Sequence, residues 1–341
     1  MPNMLIARRA ALQTAAAASL MLARGARAAA PGTVNVGFFT ETKPTMIAKG
    51  QGWFADGTGG KLNWTEMSSG AEINTAITAG SCDFGLAIGS SPTAAGIAQG
   101  LPYKLIGMVD NIGPGEEMTV RTAANINTPA DFKGKKVATP FGSTSHFRLL
   151  GFLKTNGLTQ RDVTVLDMKA AAIVAAWSRG DIDAAYVWAP AKSQILADGG
   201  KVFPTYAALD KAGYVIADLI VVRDGFAQSY PDAVTGFLKA YGRALAMYHD
   251  KPDAAAEIVA KQAGVTPAVA LSDMKEYDFV QPAQQVTPAW LGGTASDPGK
   301  FAHVLKDTAD FLVEQHSIKS APGLQAFQQA IDTSYLKKAL A

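Results

Sequence analysis

The fold is decided by a stretch from Lys135 to Pro190 whose centre reads Pro140-Phe141-Gly142-Ser143-Thr144-Ser145-His146. A short strand at 136–139 precedes this turn, and apolar residues at helical spacing follow it. Serine or threonine at such a point is a natural helix N-cap, and the free N–H groups of the first turn form a site for an anion. Residues 183–190 predict a second strand, ending on Trp188 and a helix-starting proline. The pattern is typical of the ligand-binding edge of an open α/β sheet.

Strands and helices alternate on the N-terminal side of this stretch as well. The helices between the strands have about 10 residues, and such alternation indicates βαβ units, so we predict the α/β class with mostly parallel sheets. Strands are predicted at 34–39, 61–67, 82–88 and 103–109. From Asp224 onward the chain is predicted to be mainly helical, with Pro and Gly separating the helices.

Two runs of the chain echo each other. Gly80-Ser81-Cys82-Asp83 leads a strand to Ser90-Ser91-Pro92, and Gly180-Asp181-Ile182-Asp183 leads a strand to Trp188-Ala189-Pro190. Either an internal duplication or the sequence pattern that βαβ units generally share would produce this similarity, and both interpretations stay open. Either way, the echo indicates two lobes of like architecture, linked by β-rich crossings near Glu117 and Tyr214.

The first 28 residues have the pattern of an export signal. They contain four arginines and no acidic residue, an apolar run over 10–22, and a small-x-small cleavage site at Ala26-Arg27-Ala28, with 28–30 as the alternative. The apolar run is too short to span a bilayer. The pair Arg8-Arg9 leaves the Sec and Tat routes both open. We therefore predict a signal peptide at 1–28 and a periplasmic protein; the alternative is an N-terminal arm.

Composition narrows the class of function. The formal net charge is +2, removal of the four signal arginines lowers it to −2, and no basic stripe follows, so we predict no nucleic-acid partner. The single cysteine, Cys82, excludes an internal disulfide and a zinc cluster, and it is predicted to be a small buried hydrophobe. None of the four histidines has metal-ligand spacing, so neither a metal nor a cofactor is predicted.

Motifs of common enzyme classes are missing from the sequence. It contains no phosphate-binding Gly-x-x-x-x-Gly-Lys-Ser/Thr loop, no Gly-x-Gly-x-x-Gly, no His-Glu-x-x-His and no Gly-x-Ser-x-Gly elbow. We therefore predict a binding protein and not an enzyme. An enzyme built on the same fold, such as a pyrimidine-precursor synthase, is the alternative.

The turn at 140–146, together with 172–177, 179–183 and 186–190, resembles the periplasmic taurine-binding proteins. These are solute receptors of ABC importers, related to the alkanesulfonate and nitrate receptors. The similarity runs from Val34 to about Phe311. The resemblance implies a monomer with two α/β lobes joined by two β crossings, a ligand held in the cleft under hinge closure, and a membrane permease as partner. Lobe 1 would comprise 31–115 and 219–341, and lobe 2 would comprise 116–218.

The resemblance also implies a site for taurine, a zwitterion with a sulfonate and an ammonium; another sulfonate or small anion is the alternative ligand. Helix heads and hydroxyls suffice for a diffuse anion such as a sulfonate. The predicted donors to the sulfonate are Ser90, Ser91, Ser143, Thr144, Ser145 and a neutral ring of His146. Each of the hydroxyl residues is also interpretable as a plain helix cap, and His146 as a packed helix residue.

Carboxylates and an aromatic face are predicted for the ammonium. The resemblance places Asp218 on the second crossing, facing the cleft, inside an apolar run where an unpaired acid is costly. A partner to a nearby lysine or to a backbone group is the alternative interpretation of Asp218. Glu116 is the second candidate, with Glu117 as its solvated neighbour unless the register shifts by one. Trp188 is predicted to stack on the ammonium, and a plain core residue at the strand end is its alternative interpretation. Glu41 and Lys43 depart from the uncharged residues expected after the first strand of a taurine receptor.

Overall fold

Two five-stranded sheets form the framework of residues 30–294 and 297–341, the part of the chain that this computed structural model describes. The predicted signal peptide at 1–28 lies outside these residues. The first sheet has the order β2-β1-β3-β10-β4. Its strands are β1 (Thr33–Phe38), β2 (Lys61–Glu66), β3 (Phe84–Gly89), β4 (Tyr103–Asn111) and β10 (Ala217–Arg223).

The second sheet repeats this arrangement with the order β7-β6-β8-β5-β9. Its strands are β5 (Glu116–Arg121), β6 (Lys136–Thr139), β7 (Thr164–Asp167), β8 (Ala184–Trp188) and β9 (Gly200–Val202). The predicted α/β class is confirmed, but both sheets are mixed, with two parallel and two antiparallel strand pairings in each. One strand of each sheet, β10 or β5, runs antiparallel to both of its neighbours. In each case it is the strand that the chain enters after crossing over from the other sheet.

Helices cover the sheets, and the C-terminal third is mainly helical, as the sequence predicts. The helices of the alternating part are α1 (Thr45–Gly50), α2 (Trp53–Thr58), α3 (Gly70–Thr78), α4 (Ser90–Ala98), α5 (Thr144–Thr155), α6 (Ala170–Arg179), α7 (Ala191–Ala197) and α8 (Tyr206–Lys211). The C-terminal helices are α9 (Asp224–Ser229), α10 (Pro231–Asp250), α11 (Pro252–Ala263), α12 (Pro267–Met274), α13 (Pro282–Gln285), α14 (Phe301–Glu314), α15 (Leu324–Ala330) and α16 (Ser334–Leu340). A two-stranded sheet of β11 (Gly292–Thr294) and β12 (Asp297–Pro298) precedes α14.

The two echoed runs hold equivalent positions in the two sheets. The Asp83 carboxylate accepts a hydrogen bond from the Asn35 N–H of β1 (2.9 Å), and the Asp183 carboxylate accepts one from the Lys136 N–H of β6 (2.8 Å). The backbone carbonyls of the same two aspartates accept from the final residues of β10 and β5, which are both arginines, at 2.9 and 2.8 Å. The two sheets are therefore alike in local contacts as well as in strand order.

Buried aromatic side chains fix the helices to the sheets. Phe237 of α10 stacks on Phe84 of β3 and on Phe54 of α2, with ring centroids 4.1 and 4.2 Å apart. A second cluster, which includes Phe132 and Phe152, packs α5 against the second sheet. Among the helices of the described chain, none has the length and apolar character needed to cross a bilayer.

Helices α2 and α10 meet through two glycines, and this contact yields a stability prediction. A Cβ added at Gly236 would lie 1.8 Å from the Gly57 carbonyl oxygen, which no side-chain rotation can relieve because both atoms belong to the backbone. We expect Gly236→Ala to lower the free energy of unfolding in urea by about 2–3 kcal/mol, the upper part of the range for overpacking.

Gly242, on the same helix, supplies the matched control. The nearest heavy atom to a Cβ there is 3.6 Å away, an ordinary contact, so Gly242→Ala should raise the stability by about 0.5–1 kcal/mol through helix propensity. Equal effects of the two substitutions would contradict the close α2–α10 contact.

Candidate ligand-binding site

A small buried cavity lies between the two sheets, at the carboxyl ends of their parallel strands. Its open space is about 20 Å³, which is room for about one water molecule. Both sheets and the heads of three helices contribute to its wall. The lining residues are Phe39, Glu41, Gly70, Ala87, Gly89, Pro92, Glu116, Ser143, Thr144, Trp188 and Asp218. The position is the one at which open α/β sheets bind ligands.

Two carboxylates enter the cavity from equivalent strands. Asp218 lies on β10 and Glu116 on β5, and each stands five residues before the arginine that ends its strand. Asp218 is the register partner of Gly89, and Glu116 is the register partner of Trp188. The like architecture of the two sheets therefore brings one acid from each half of the molecule to a shared cavity.

The head of α5 faces Glu116. Ser143 is the N-cap: its Oγ accepts from the His146 N–H (3.2 Å) and donates to the Pro140 carbonyl (2.6 Å). The hydroxyls of Thr144 and Ser145 donate to Glu116 Oε1 and Oε2, both at 2.8 Å. Helix geometry leaves the backbone N–H groups of this first turn without acceptors inside the helix. Hydroxyls that we predicted for a ligand anion therefore hold a carboxylate of the protein in this arrangement.

Aromatic rings form another part of the wall. Phe39 and Trp188 pack edge to face, with centroids 6.0 Å apart and planes at 74°. The two halves also meet here in a close contact: a Cβ at Gly89 of β3 would lie 2.6 Å from the Thr144 Cγ2 of α5. The small volume of the cavity follows from this close approach.

A buried lysine stands behind the cavity. The Lys43 side chain is 1% exposed, and its ammonium donates to the Asp218 carboxylate. The ammonium nitrogen also lies 3.0 Å from Asp110 Oδ2 and 3.7 Å from Glu41 Oε1. It stacks over the ring of Tyr277, 4.2 Å from the ring centroid. Asp110 on β4 and Asp218 on β10 are register partners. Like charges directly opposite each other in a sheet repel, so the ammonium between them stabilises the pair.

Positive charge is scarce in this region. Glu41, Asp110, Glu116 and Asp218 form one cluster with Lys43, and we call these five residues the acid cluster. Burial, together with the neighbouring carboxylates, raises the pKa of Asp110 to about 8 and that of Glu116 to about 7, and the pKa values of Glu41 and Asp218 are raised as well. Burial alone would lower the pKa of Lys43, but Asp110, Asp218 and Glu41 outweigh it and raise that pKa. An added cation would be stabilised here.

Five of the nine predicted site residues line the cavity: Glu116, Ser143, Thr144, Trp188 and Asp218. Ser145 is buried against Glu116, and the Ser90 Oγ accepts from the Ala217 N–H (3.2 Å). Ser91 and His146 line a neighbouring groove of about 730 Å³. The His146 ring stacks on Phe141 with centroids 4.2 Å apart, and burial lowers its pKa to about 4, so the ring is neutral at physiological pH.

Sequence reasoning missed some of the cavity and misjudged one acid. Glu41 lines the cavity, and Lys43 and Asp110 lie behind it. The only signal in the sequence was that Glu41 and Lys43 stand where a taurine receptor is expected to have uncharged residues. The prediction of a solvated Glu117 is wrong. Its buried carboxylate accepts from the N–H groups of Thr205 and Tyr206 at 2.8 and 2.9 Å, and so caps α8. Within 30–294 and 297–341, no group of His, Cys, Asp and Glu side chains is arranged to hold a metal ion.

Comparisons with known proteins agree with this layout. Residues 40–255 match the family described as NMT1/THI5 like. The taurine-binding periplasmic protein of Escherichia coli (strain K12) is 34% identical over 291 residues, which cover 84% of this chain and 87% of that protein. The alkanesulfonate-binding protein SsuA of Xanthomonas axonopodis pv. citri, solved bound to MOPS, superposes with a TM-score of 0.73 at 24% identity, over 89% of this chain and 99% of that one. The desulfurization enzyme DSZB shares the fold, with a TM-score of 0.62 at 18% identity over 91% and 99% of the two chains.

The raised pKa values predict how stability depends on pH. Asp110 and Glu116 keep protons in the folded protein at pH values where the unfolded chain, with carboxyls near 3.8 and 4.5, has lost them. The folded state then binds more protons, so the free energy of unfolding falls as pH rises from about 4 to about 8. His146 opposes this trend only between about 4 and 6.5. We therefore expect the melting temperature of the ligand-free protein to fall from pH 6.5 to pH 8.

Asp110→Asn should reduce the fall in the free energy of unfolding over this pH range by an amount on the order of 1 kcal/mol, because the substituted amide does not titrate. Asp307→Asn, at an exposed position of α14, should keep the full slope. Thermal unfolding of the three proteins across this pH range is the measurement. A stability that is flat or rising in the unsubstituted protein would contradict the burial of the two acids.

Proposed function

The chain belongs to the NMT1/THI5-like family, and from this premise we propose that it is an exported solute-binding receptor that captures taurine or a closely related small sulfonate. It hands the ligand to the membrane permease of an ABC importer. The observation that carries the proposal is the meeting of an α-helix head with two carboxylates in one buried cavity: the first turn of α5 lies beside Glu116 and Asp218. A zwitterion presents the complementary pair of charges.

The sulfonate binds at the head of α5, where the N–H groups of Thr144 and Ser145 have no acceptor inside the helix. The ammonium binds Glu116 and Asp218, and Trp188 presents an aromatic face to it. An ammonium on Glu116 compensates that carboxylate, so the hydroxyls of Thr144 and Ser145 become available to the sulfonate. Each end of the ligand then favours the binding of the other.

Ligand entry requires the two halves to separate. A space of about 20 Å³ is smaller than any aminosulfonate, and Gly89 and Thr144 are in contact at its edge. The crossings at 112–115 and 203–216 connect the sheets and form the hinge. The ligand favours the closed arrangement by the contacts that it makes with both halves at once, and the closed form is the one that docks on the permease.

A catalytic role is the alternative, since an enzyme shares the fold. Burial raises the pKa of the Cys82 thiol to about 11, which keeps this thiol neutral and weakly nucleophilic. We expect taurine incubated with the protein to be recovered unchanged, as measured by mass spectrometry over many hours. Release of sulfite or of any altered amine would contradict a pure receptor.

Asp218→Asn tests the assignment of the ammonium. The substitution keeps the shape of the side chain and removes its charge, so taurine should bind at least tenfold more weakly, about 1.4 kcal/mol, in calorimetry. Ethanesulfonate, which lacks the amine, should lose much less. An equal loss for both ligands would show that Asp218 supports the fold of the site without contacting the amine, and binding of neither ligand by the unsubstituted protein would reject the proposed function.

A further inference from the structure

Glu41 is the acid of the cavity wall that has a fully buried oxygen without a hydrogen-bond donor. Its side chain is buried, 4% exposed, in the loop that follows β1, and it lines the cavity. Oε1 lies 3.7 Å from Lys43 Nζ, which is beyond a hydrogen bond, and Oε2 has no partner in the part of the chain described. A buried carboxylate in this condition is costly unless something donates to it.

Each of the other two acids of the wall has at least one hydrogen-bond donor. Glu116 accepts from the hydroxyls of Thr144 and Ser145, and Asp218 accepts from Lys43. Lys43 is committed to the register pair Asp110 and Asp218 and lies closer to both of these than to Glu41. The acid cluster therefore has a remaining place for a cationic donor at Glu41, which lines the cavity.

We propose that Glu41 is a ligand-contacting residue that accepts a hydrogen bond from the ammonium of the ligand, and that it selects amine-bearing sulfonates over plain alkanesulfonates. The inference rests on the proposed function and adds a third carboxylate to it. With Glu41, Glu116 and Asp218 around the cavity, a primary ammonium has one acceptor for each of its three N–H bonds. A ligand with an alkyl group at this end would leave Glu41 buried without a donor, which disfavours its binding.

A second role for Glu41 has to be separated from this one. If Glu41 served only to hold Lys43, its replacement would weaken both ligand types alike, because Lys43 and its carboxylates shape the whole wall. The ratio of the affinities for taurine and ethanesulfonate distinguishes the two roles. Asp110 is a matched control, since its carboxylate also contacts Lys43 but does not line the cavity.

The experiment is calorimetric titration of the full mature chain and its variants with taurine and with ethanesulfonate at pH 7.5. Glu41→Gln should weaken taurine at least tenfold while ethanesulfonate stays within threefold or binds more tightly. Asp110→Asn removes one acid of the cluster but no ligand contact, so it should lower the ratio of the two affinities by much less than Glu41→Gln does. Circular dichroism and melting curves check the folding of each variant.

Each outcome decides the matter. An unchanged affinity ratio in Glu41→Gln, with taurine bound by the unsubstituted protein, overturns the role of Glu41 and leaves the proposed function standing. Failure of the unsubstituted protein to bind either sulfonate rejects both. If Glu41→Gln does not fold, Glu41→Asp retains the charge but draws it back by one methylene, and it should weaken taurine severalfold at unchanged ethanesulfonate affinity; no change in taurine affinity overturns the inference.

Discussion

The site depends on one buried ammonium. Asp110 and Asp218 stand opposite each other on neighbouring antiparallel strands, and two further acids, Glu41 and Glu116, belong to the same cluster. Lys43 is the cation that lies among them, held under the Tyr277 ring. Ion pairs removed from water are marginal in net energy, and breaking them from one side is costly. The protein therefore carries an excess of acid that only protons or an added cation can relieve, and this excess links binding to stability.

Repetition of architecture explains how charges from distant parts of the chain converge. The two sheets share strand order, and Asp83 and Asp183 make matching hydrogen bonds within them. The antiparallel strands β5 and β10 follow the two crossings directly, and each carries an acid near its start. Groups close to a hinge move least when two halves rotate, whereas the head of α5 lies across the cavity from α4. In the function that we propose, the carboxylates therefore contact the ligand first, and the helix head completes its enclosure.

Local patterns in the sequence predicted most strands of the two sheets, although not β7 or β9, and they predicted the turn at 140–146 and the helix after it, because hydrophobic period and capping residues are encoded within a few positions. They did not indicate that β5 and β10 would be antiparallel, since pairing between strands distant in sequence leaves no local trace. Glu117 shows the same limit: it was predicted to be the solvated neighbour of Glu116, but the N–H groups that it caps come from 205–206. The partners of Lys43 were hidden for this reason too, as Asp110 and Asp218 lie far along the chain.

The absence of a side chain at Gly89 allows the two halves of the molecule to approach each other closely. Its Cα approaches the Thr144 methyl so closely that even one added carbon would overlap it. Gly142 stands in a comparable relation to Ala71, whose Cβ would lie 2.8 Å from an added one. The two halves of the molecule therefore meet at glycine positions, and a methyl group at either position would keep them further apart. In the proposed receptor, the missing side chains of Gly89 and Gly142 set how closely the two halves approach each other.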